Sequence, residues 1–257
     1  MSTRQRVLVT AGASGIGAAI ARAFADDGAR VSFVDIDANA VSAAVAADPR
    51  LHGVALDVSD PLAVGSWFDD VLAEWRGVDV LVNNAGIAGP TSYVEDISTE
   101  QWRDCLAVGL DSHFFTSSRA AAAMKAQRSG SIISISSTAG LYGYGMRSPY
   151  AATKWAVIGL IKSLAVELGP FGVRANAICP GSVDGPRMRG VIERQAAAAG
   201  VDPAIVEREY LSGQSISRFV QPNEIADMCR FLASPAAAMV SGQAIAVDGH
   251  TETFHID

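Results

Sequence analysis

The chain has 257 residues, 49% of them hydrophobic and 18% charged, which is the composition of a globular protein of one or two domains. Its 20 Lys and Arg against 27 Asp and Glu leave a net charge of −7, which argues against a nucleic-acid surface built on clustered cations. No apolar run approaches the roughly 20 residues of a membrane span. Residues 1–10 lack a signal-peptide pattern, and the three cysteines are widely spaced, so we expect reduced thiols in a cytoplasmic protein.

Strand and helix patterns alternate along the chain. Short runs rich in Val and Ile predict buried strands, and Ala-rich amphipathic stretches between them predict helices. The predicted strands cover residues 6–10, 30–34, 53–56, 80–82, 131–135, 174–178 and 243–247, and the predicted helices cover residues 16–27, 39–47, 62–75, 99–127, 151–168 and 222–232. This alternation predicts the α/β class, with a doubly wound (Rossmann) parallel sheet of about seven strands and helices on both faces.

One segment departs from this alternation. Residues 181–218 are polar and rich in glycine, and they separate the sixth predicted strand from the last predicted helix. In an open α/β sheet, a long insertion at the carboxyl end of a strand is where ligands bind and lids move. Because no linker, repeat or low-complexity segment divides the chain, we expect residues 1–257 to form one domain with a substrate lid at about residues 181–218.

A glycine-rich turn follows the first predicted strand. Gly12, Gly15 and Gly17 lead into a predicted helix, whose N-terminal N–H groups attract a pyrophosphate. Asp35 ends the second strand, where a carboxylate accepts the ribose hydroxyls and repels a 2′-phosphate. No Arg or Lys occurs at residues 35–40, so the pattern favours NAD over NADP. A turn without a ligand, with Asp35 as a turn residue or helix cap, is the alternative.

Tyr150 and Lys154 are four residues apart at the start of a predicted helix, so both side chains lie on one face. A phenol is a poor base at neutral pH, and a neighbouring ammonium group favours its ionised form. Ser137 follows the fifth predicted strand and can hold a substrate oxygen while Tyr150 moves its proton. The alternative is that Tyr150 and Lys154 are ordinary surface residues of the helix.

Taken together, these motifs resemble the short-chain dehydrogenase/reductase family, and the resemblance covers nearly the whole chain. The matching motifs are Thr10–Gly17, Asp35, Asp57, Asn83–Gly86, Ser137, Tyr150–Lys154, Asn176, Pro180–Gly181, Ser241–Gln243 and Val247–Gly249. The resemblance implies that Tyr150 is the general acid/base, that Ser137 positions the alcohol or carbonyl, and that Lys154 binds the nicotinamide ribose. It implies cofactor contacts at Gly12, Ser14, Gly15, Ile16, Gly17, Asp35, Ile36, Asp57, Val58, Asn84, Gly86, Tyr150, Lys154, Pro180, Gly181 and Val183.

Three positions depart from the family pattern. Ala11 stands where the first glycine of the turn usually falls, and we expect a functional site with a slightly altered turn. Gly109 stands where the family usually has an asparagine that holds a water behind the lysine, so Ser112 or a water is the hypothesis for a substitute. Gly185 replaces a threonine that often bonds the carboxamide.

Tyr144, Arg147 and Arg187 are the candidate substrate residues. Tyr144 and Arg147 precede Tyr150 closely, and Arg187 lies in the predicted lid. A guanidinium group matches a carboxylate in a fork, so the arginines are candidates to clamp an anionic substrate. Surface ion pairs with Asp or Glu, or a contact with the NAD pyrophosphate, are the alternatives. The histidines have no metal-ligand spacing, so no metal is expected.

The predicted activity is reversible hydride transfer between NAD(H) and a secondary alcohol or ketone, such as a hydroxy acid, sugar or polyol. One alternative is a 3-oxoacyl thioester reductase, which usually prefers NADP and is therefore disfavoured by Asp35. Another is a non-catalytic NAD-binding sensor, which the complete Ser, Tyr and Lys set disfavours. The family resemblance also implies a homotetramer, or a homodimer, assembled through the helices around residues 99–127 and 151–168.

Overall fold

A parallel sheet of seven strands lies at the centre of the structure, a computed structural model that describes residues 4–251. The strands are β1 (Arg6–Thr10), β2 (Arg30–Asp35), β3 (Leu51–Ala55), β4 (Val80–Asn83), β5 (Gly130–Ile135), β6 (Val173–Pro180) and β7 (Ala244–Val247). Their order across the sheet is β3-β2-β1-β4-β5-β6-β7. Because the order reverses between β1 and β4, the ligand crevice is expected at the carboxyl ends of those two strands.

Helices cover both faces of the sheet, so the predicted doubly wound α/β class is confirmed. The helices are α1 (Gly15–Asp26), α2 (Ala38–Ala47), α3 (Pro61–Trp75), α4 (Thr99–Leu106), α5 (Ser112–Gln127), α6 (Ser148–Leu168), α7 (Pro186–Ala199), α8 (Pro203–Ser212) and α9 (Pro222–Ala233). One apolar core lies under α1, α2 and α9, and the other lies under α3, α5 and α6. Among residues 4–251, no helix is both long and apolar enough to cross a membrane.

The helical tract predicted at residues 99–127 is not uniform. Helices α4 and α5 are joined by a wide π turn at Ala107–Asp111. Gly109 lies inside this turn, and a Cβ atom there would come within 2.6 Å of the Thr153 Cγ2 atom. The turn therefore lets α6 cross closely at the residue that precedes Lys154.

The predicted lid segment contains two helices, α7 and α8, which the sequence patterns did not indicate. Both begin with a proline at the first helical position, where the missing N–H costs nothing. The Asp202 carboxylate caps α8 by accepting a hydrogen bond of 2.8 Å from the Ala204 N–H. A small apolar cluster of Ile192, Ala196 and Val206 joins the two helices. Arginine and glycine in the segment hide this helical periodicity.

Candidate active site

A cavity of about 710 Å³ opens at the carboxyl ends of the strands. Asp35 and Asp57 line one part of it, and Tyr150 and lid residues line another. Of the predicted cofactor residues, the wall includes Ser14, Gly15, Ile16, Asp35, Ile36, Asp57, Val58, Asn84, Gly86, Tyr150, Lys154, Pro180, Gly181 and Val183. Of the predicted catalytic and substrate residues, it also includes Ser137, Tyr144, Arg147 and Arg187.

Gly12 and Gly17 lie behind the cavity wall rather than on it. A Cβ atom at Gly12 would come within 2.5 Å of the Phe33 Cβ atom, and one at Gly17 would overlap the Ala11 carbonyl oxygen. Both glycines therefore allow the start of α1 to pack closely against the sheet. The cofactor contacts predicted for them stay predictions.

The glycine-rich turn places the N-terminus of α1 next to the cavity. Ala11 and Gly15 both adopt left-handed backbone conformations, with φ of 51° and 54°. The Ser14 side chain does not cap α1, and the first-turn N–H groups of a helix have no intrahelical carbonyl partner. This set of backbone donors, next to small residues, fits the pyrophosphate of a dinucleotide.

Asp35 is held in place by the backbone around it. Its carboxylate accepts hydrogen bonds from the Ala13 N–H at 3.1 Å and from the Asp37 N–H at 3.3 Å. The cations on the cavity wall are Arg147, Lys154 and Arg187, and all three act electrostatically on Tyr150. The Asp35 end of the cavity thus carries carboxylates, which suits a ribose with two free hydroxyl groups.

Asn84 ties the ends of β1 and β4 together at the switch point of the sheet. Its side-chain amide donates to the carbonyl oxygens of Thr10 and Ala11, at 3.2 and 3.1 Å. The Thr10 hydroxyl in turn accepts the Asn84 N–H at 2.9 Å. These bonds fix the turn at Ala11 although the residue there is not glycine.

Tyr150 and Lys154 lie one turn apart near the start of α6, and both line the cavity. The Lys154 Nζ atom donates to the Ile135 carbonyl oxygen at 2.9 Å and lies 5.7 Å from the centroid of the Tyr150 ring. The neighbouring Ser136 hydroxyl donates to the Lys154 carbonyl oxygen at 2.8 Å. Strand β5 thereby fixes the position of the lysine beside the tyrosine.

The electrostatic environment favours the ionised form of Tyr150. Burial by itself would raise the pKa of the phenol, but the charges of Lys154 and Arg187, the hydrogen bond with Ser137 and the charge of Arg147 together lower it below its usual value. Burial lowers the pKa of Lys154, while the adjacent Tyr150 phenolate acts in the opposite direction. The site can therefore hold a proton acceptor at the position where a substrate hydroxyl would lie.

A buried histidine, His113, lies on α5. His113 is fully buried, and its Nε2 atom lies 3.0 Å from the Ala85 carbonyl oxygen. Burial and the charge of Lys154 lower the pKa of His113 to about 3, so it is neutral. The Ser112 hydroxyl donates to the Val108 carbonyl oxygen at 2.6 Å, within its own helix. The relay role suggested for Ser112 stays a hypothesis.

Sequence reasoning missed a chain of hydrogen bonds that joins the lid to the cavity wall. The Tyr144 and Tyr210 hydroxyl oxygens are 2.5 Å apart, and the Tyr210 hydroxyl donates to Gln195 Oε1 at 2.7 Å. Burial is the main reason that the pKa of Tyr210 lies far above its usual value, so this phenol stays protonated. Tyr144 and Tyr210 are 66 residues apart, and no local pattern signals their contact.

Comparison with known proteins agrees with this geometry. A family model described as enoyl-(acyl carrier protein) reductase matches residues 10–250. The chain is 37% identical over 245 residues to cis-4-hydroxycyclohexanecarboxylate dehydrogenase of Sinomonas cyclohexanicum, and the match covers 94% of each chain.

Solved structures similar to the chain include an NAD⁺-bound xylitol dehydrogenase, with a TM-score of 0.93, 26% identity and coverage of 97% of this chain and 100% of that one. An actinorhodin polyketide ketoreductase bound to NADPH also has a TM-score of 0.93, with 31% identity and coverage of 99% and 100%. Both the family model and these relatives span almost the whole chain. The chain is an oxidoreductase that belongs to the short-chain dehydrogenase/reductase family.

Proposed function

We propose that the chain is an NAD-dependent dehydrogenase that interconverts a secondary alcohol and a ketone. The observation that carries the proposal is the position of Tyr150, half-buried in the cavity wall beside Ser137 and Lys154, in a field that lowers its pKa. A phenolate there can accept the hydroxyl proton of an alcohol. In the reverse direction the phenol returns that proton to the carbonyl oxygen.

Each residue of the site has a separate task in this proposal. Ser137 donates a hydrogen bond to the substrate oxygen, Tyr150 takes its proton, and Lys154 stabilises the phenolate and binds the nicotinamide ribose. A nicotinamide ring held next to Lys154 would supply the acceptor for the hydride of the carbinol carbon. Burial of Lys154, which is 4% exposed, keeps water away and strengthens its effect on the phenol.

Asp35 supports NAD rather than NADP as the cofactor. Its carboxylate is fixed by two backbone N–H groups, and no Arg or Lys of the cavity wall lies at its end. A 2′-phosphate at this place would meet a negative charge without a cation to balance it. Gly86 supports the placement of the nicotinamide ribose beside Lys154. A Cβ atom at residue 86 would lie only 3.3 Å from the Lys154 Nζ atom, so glycine leaves the space next to the lysine open.

The test is an absorbance assay for NADH with a panel of hydroxy acids, polyols and sugars, repeated with NADP. We expect NADH to form and kcat/KM to favour NAD by at least about tenfold, because like-charge juxtaposition costs several kcal/mol. If no substrate of the panel yields NADH although the protein still binds NAD, a non-catalytic sensor would be favoured. A faster reaction of NADPH with a 3-oxoacyl thioester would favour the reductase alternative, which the likeness to the NADPH-bound ketoreductase supports.

Three further assignments belong to the same proposal. Segment 181–218 acts as the substrate lid of a single domain, as its helices α7 and α8 beside the cavity suggest. The protein is cytoplasmic, in keeping with three buried cysteines that form no disulfide. It is a homotetramer or homodimer, supported by exposed Phe114 on α5 and Trp155 on α6. Light scattering on the purified protein tests the assembly.

A further inference from the structure

Two arginines next to Tyr150 have no carboxylate partner in the part of the chain that the structure describes. Arg147 and Arg187 both line the cavity, and neither forms an ion pair with Asp or Glu among residues 4–251. Arg189, only two residues from Arg187, does pair with a carboxylate, that of Asp184 at 3.8 Å. The surface ion pairs with Asp or Glu that the sequence left as an alternative are therefore not formed by Arg147 or by the exposed Arg187.

Arg147 is a buried cation, with only 3% of its surface exposed. Its Nη2 atom donates to the Ala88 carbonyl oxygen at 2.7 Å, and its Nε atom is buried without a hydrogen-bond partner among the described residues. The guanidinium carbon lies 5.3 and 5.2 Å from the ring centroids of Tyr144 and Tyr150. Aromatic faces offset only part of the cost of burying a charge. An anion in the cavity would supply the missing compensation.

Arg187 reaches the same region from the lid. Its Nη1 atom donates to the Gly86 carbonyl oxygen at 3.1 Å, and its charge acts on both Tyr150 and Lys154. Arg187, the second of the two arginines beside Tyr150, thus lies in segment 181–218 and not on a strand of the sheet. Like charges gathered around one tyrosine repel each other, and an anion bound among them offsets that repulsion.

Carboxylates on the cavity wall do not neutralise this cluster. Asp35 and Asp57 lie at the other end of the cavity, and Asp184, near the start of segment 181–218, is paired with Arg189. Apolar and aromatic side chains, including Ile87, Val108, Tyr142, Met188 and Val191, form much of the cavity wall, together with uncharged polar groups such as Ser137 and Gln214. The surroundings match a molecule with one anionic group and an apolar body.

We propose that the substrate is a hydroxy or oxo acid with an apolar body, whose carboxylate is bound by Arg187 and held in the field of Arg147. The proposal rests on the dehydrogenase activity proposed above and narrows its substrate class. Arg187 supplies a fork of N–H donors that matches a carboxylate. Arg147 supplies a fixed charge at the base of the pocket. Neutral polyols and sugars lack the group that this pair recognises.

The first experiment compares acids with their own primary amides as substrates of the NAD-loaded enzyme. Suitable pairs are beta-hydroxybutyrate and its amide, and cis-4-hydroxycyclohexanecarboxylate, the substrate named for one relative, and its amide. We expect kcat/KM to favour an acid by about 10- to 100-fold, the range of one or two charge-assisted hydrogen bonds. Equal turnover of acids and amides, or a preference for neutral polyols, overturns the proposal and leaves the dehydrogenase assignment intact.

The variants assign the preference to the two arginines. Arg187→Gln is expected to lower the ratio of kcat/KM for the acid to kcat/KM for the amide about 10- to 100-fold and to leave the Kd for NAD unchanged. The ratio cancels the effect that loss of the cation has on Tyr150 with both substrates. Arg187→Lys, which keeps the charge but loses the fork, is expected to be intermediate. Arg189→Gln is the matched control, because it removes a lid arginine outside the cavity wall. Weaker NAD binding in Arg187→Gln with an unchanged acid preference would assign Arg187 to the pyrophosphate and overturn its role here.

A binding measurement keeps the test independent of turnover. The NAD-loaded protein is heated with cyclohexanecarboxylate or with cyclohexanecarboxamide, neither of which has a hydroxyl group to oxidise. We expect only the acid to raise the Tm, and Arg147→Gln and Arg187→Gln to reduce that rise. If no alcohol is oxidised but the acid still binds, the substrate-class inference survives while the dehydrogenase proposal fails. If the acid and the amide stabilise the protein equally, the inference is wrong.

Discussion

The two ends of the cavity are built in opposite ways. At the end lined by Asp35 and Asp57, backbone groups hold the site, since the Asp35 carboxylate accepts two N–H groups and the turn before α1 is fixed by Asn84. At the end lined by Tyr150, long side chains from separate segments meet, and cations gather without carboxylate partners among residues 4–251. The first end is acidic and the second is basic within one cavity.

This difference fits the two tasks of the enzyme. A dinucleotide is the same molecule in every turnover, so its site can be built from backbone geometry close to the sheet. A substrate site must differ between relatives that act on a carboxylate and on a polyol, and side chains on a lid and a loop change without disturbing the sheet. On the proposed function, the opposite charges would also orient a bound pair, with the adenosine ribose at one end and the carboxylate of an acid at the other.

The strongest test of the basic end is Tyr150→Phe. Without the phenol oxygen the proton of the alcohol has no acceptor, so we expect kcat to fall by about 10²- to 10⁴-fold. The Kd for NAD is expected to stay within about twofold, because the ring and Lys154 remain. Steady-state kinetics and NAD titration measure the two quantities. Tyr93→Phe, at an exposed tyrosine outside the cavity wall, is the control. Near-normal turnover in Tyr150→Phe would remove Tyr150 from the mechanism.

At the acidic end, the corresponding change is Asp35→Ser. Loss of the carboxylate removes the repulsion of a 2′-phosphate and the acceptor for the ribose hydroxyls, so we expect the NAD to NADP ratio of kcat/KM to fall about 10- to 100-fold. Kinetics with both cofactors and one alcohol measure it. Asp69→Ser removes an exposed carboxylate elsewhere and is expected to leave the ratio unchanged. An unchanged NAD to NADP ratio of kcat/KM in Asp35→Ser would mean that Asp35 does not distinguish the two cofactors at the adenosine ribose.

The same contrast explains what the sequence could predict. The acidic end consists of short motifs at strand ends, and the strands of a parallel sheet bring such ends to one edge in any Rossmann fold. The sequence therefore predicts that Asp35, Asp57 and Asn84 lie at one edge of the sheet, and all three line the cavity, while their contacts with a cofactor stay predictions. The basic end depends on contacts between distant segments, such as Tyr144 with Tyr210. No pattern of 3.6 or 2 residues encodes such a contact, and the helices of the lid were missed with it.

A smaller effect sharpens the electrostatic side of the comparison. Four groups lower the pKa of Tyr150, namely Lys154, Arg187, Ser137 and Arg147, against burial, which raises it. Removing a cation favours the neutral phenol, so Arg147→Gln is expected to raise the pKa of Tyr150. Alcohol oxidation needs the phenolate, so the acid limb of the pH profile of kcat/KM for oxidation is expected to move to higher pH. Ketone reduction needs the phenol, so its alkaline limb is expected to move in the same direction.

Arg189→Gln serves as the control for that profile, because Arg189 is paired with Asp184 and is not among the groups that act on Tyr150. Its pH profile is expected to match that of the unaltered enzyme. Limbs that stay in place in Arg147→Gln would show that the buried guanidinium does not reach the phenol electrostatically. A shift to lower pH would contradict the sign of the effect.

The smallest expected effect concerns the backbone conformation of the turn at Ala11, at the acidic end of the cavity. Ala11 adopts φ of 51°, a conformation that costs an L-residue about 1–2 kcal/mol, while glycine in its place loses about 0.5–1 kcal/mol of backbone entropy on folding. Ala11→Gly is therefore expected to stabilise the fold by about 0.5–1 kcal/mol, or about 1–4 °C in Tm for a chain of this size. Arg76→Gly, at a helix end with φ of 57° outside the cavity wall, is the matched control.

The affinity for NAD distinguishes two explanations of the turn at Ala11. The Asn84 amide holds the Ala11 carbonyl oxygen at 3.1 Å whatever side chain residue 11 carries, so the turn keeps its shape in Ala11→Gly. We expect the Kd for NAD to change by less than about twofold, because backbone contacts and not the alanine methyl group fix this end of the cavity. A clearly weaker affinity for NAD together with a higher Tm would mean that the alanine methyl group itself stiffens the turn. In that case a side chain would help to shape the acidic end, and the two ends of the cavity would differ less than their hydrogen bonds indicate.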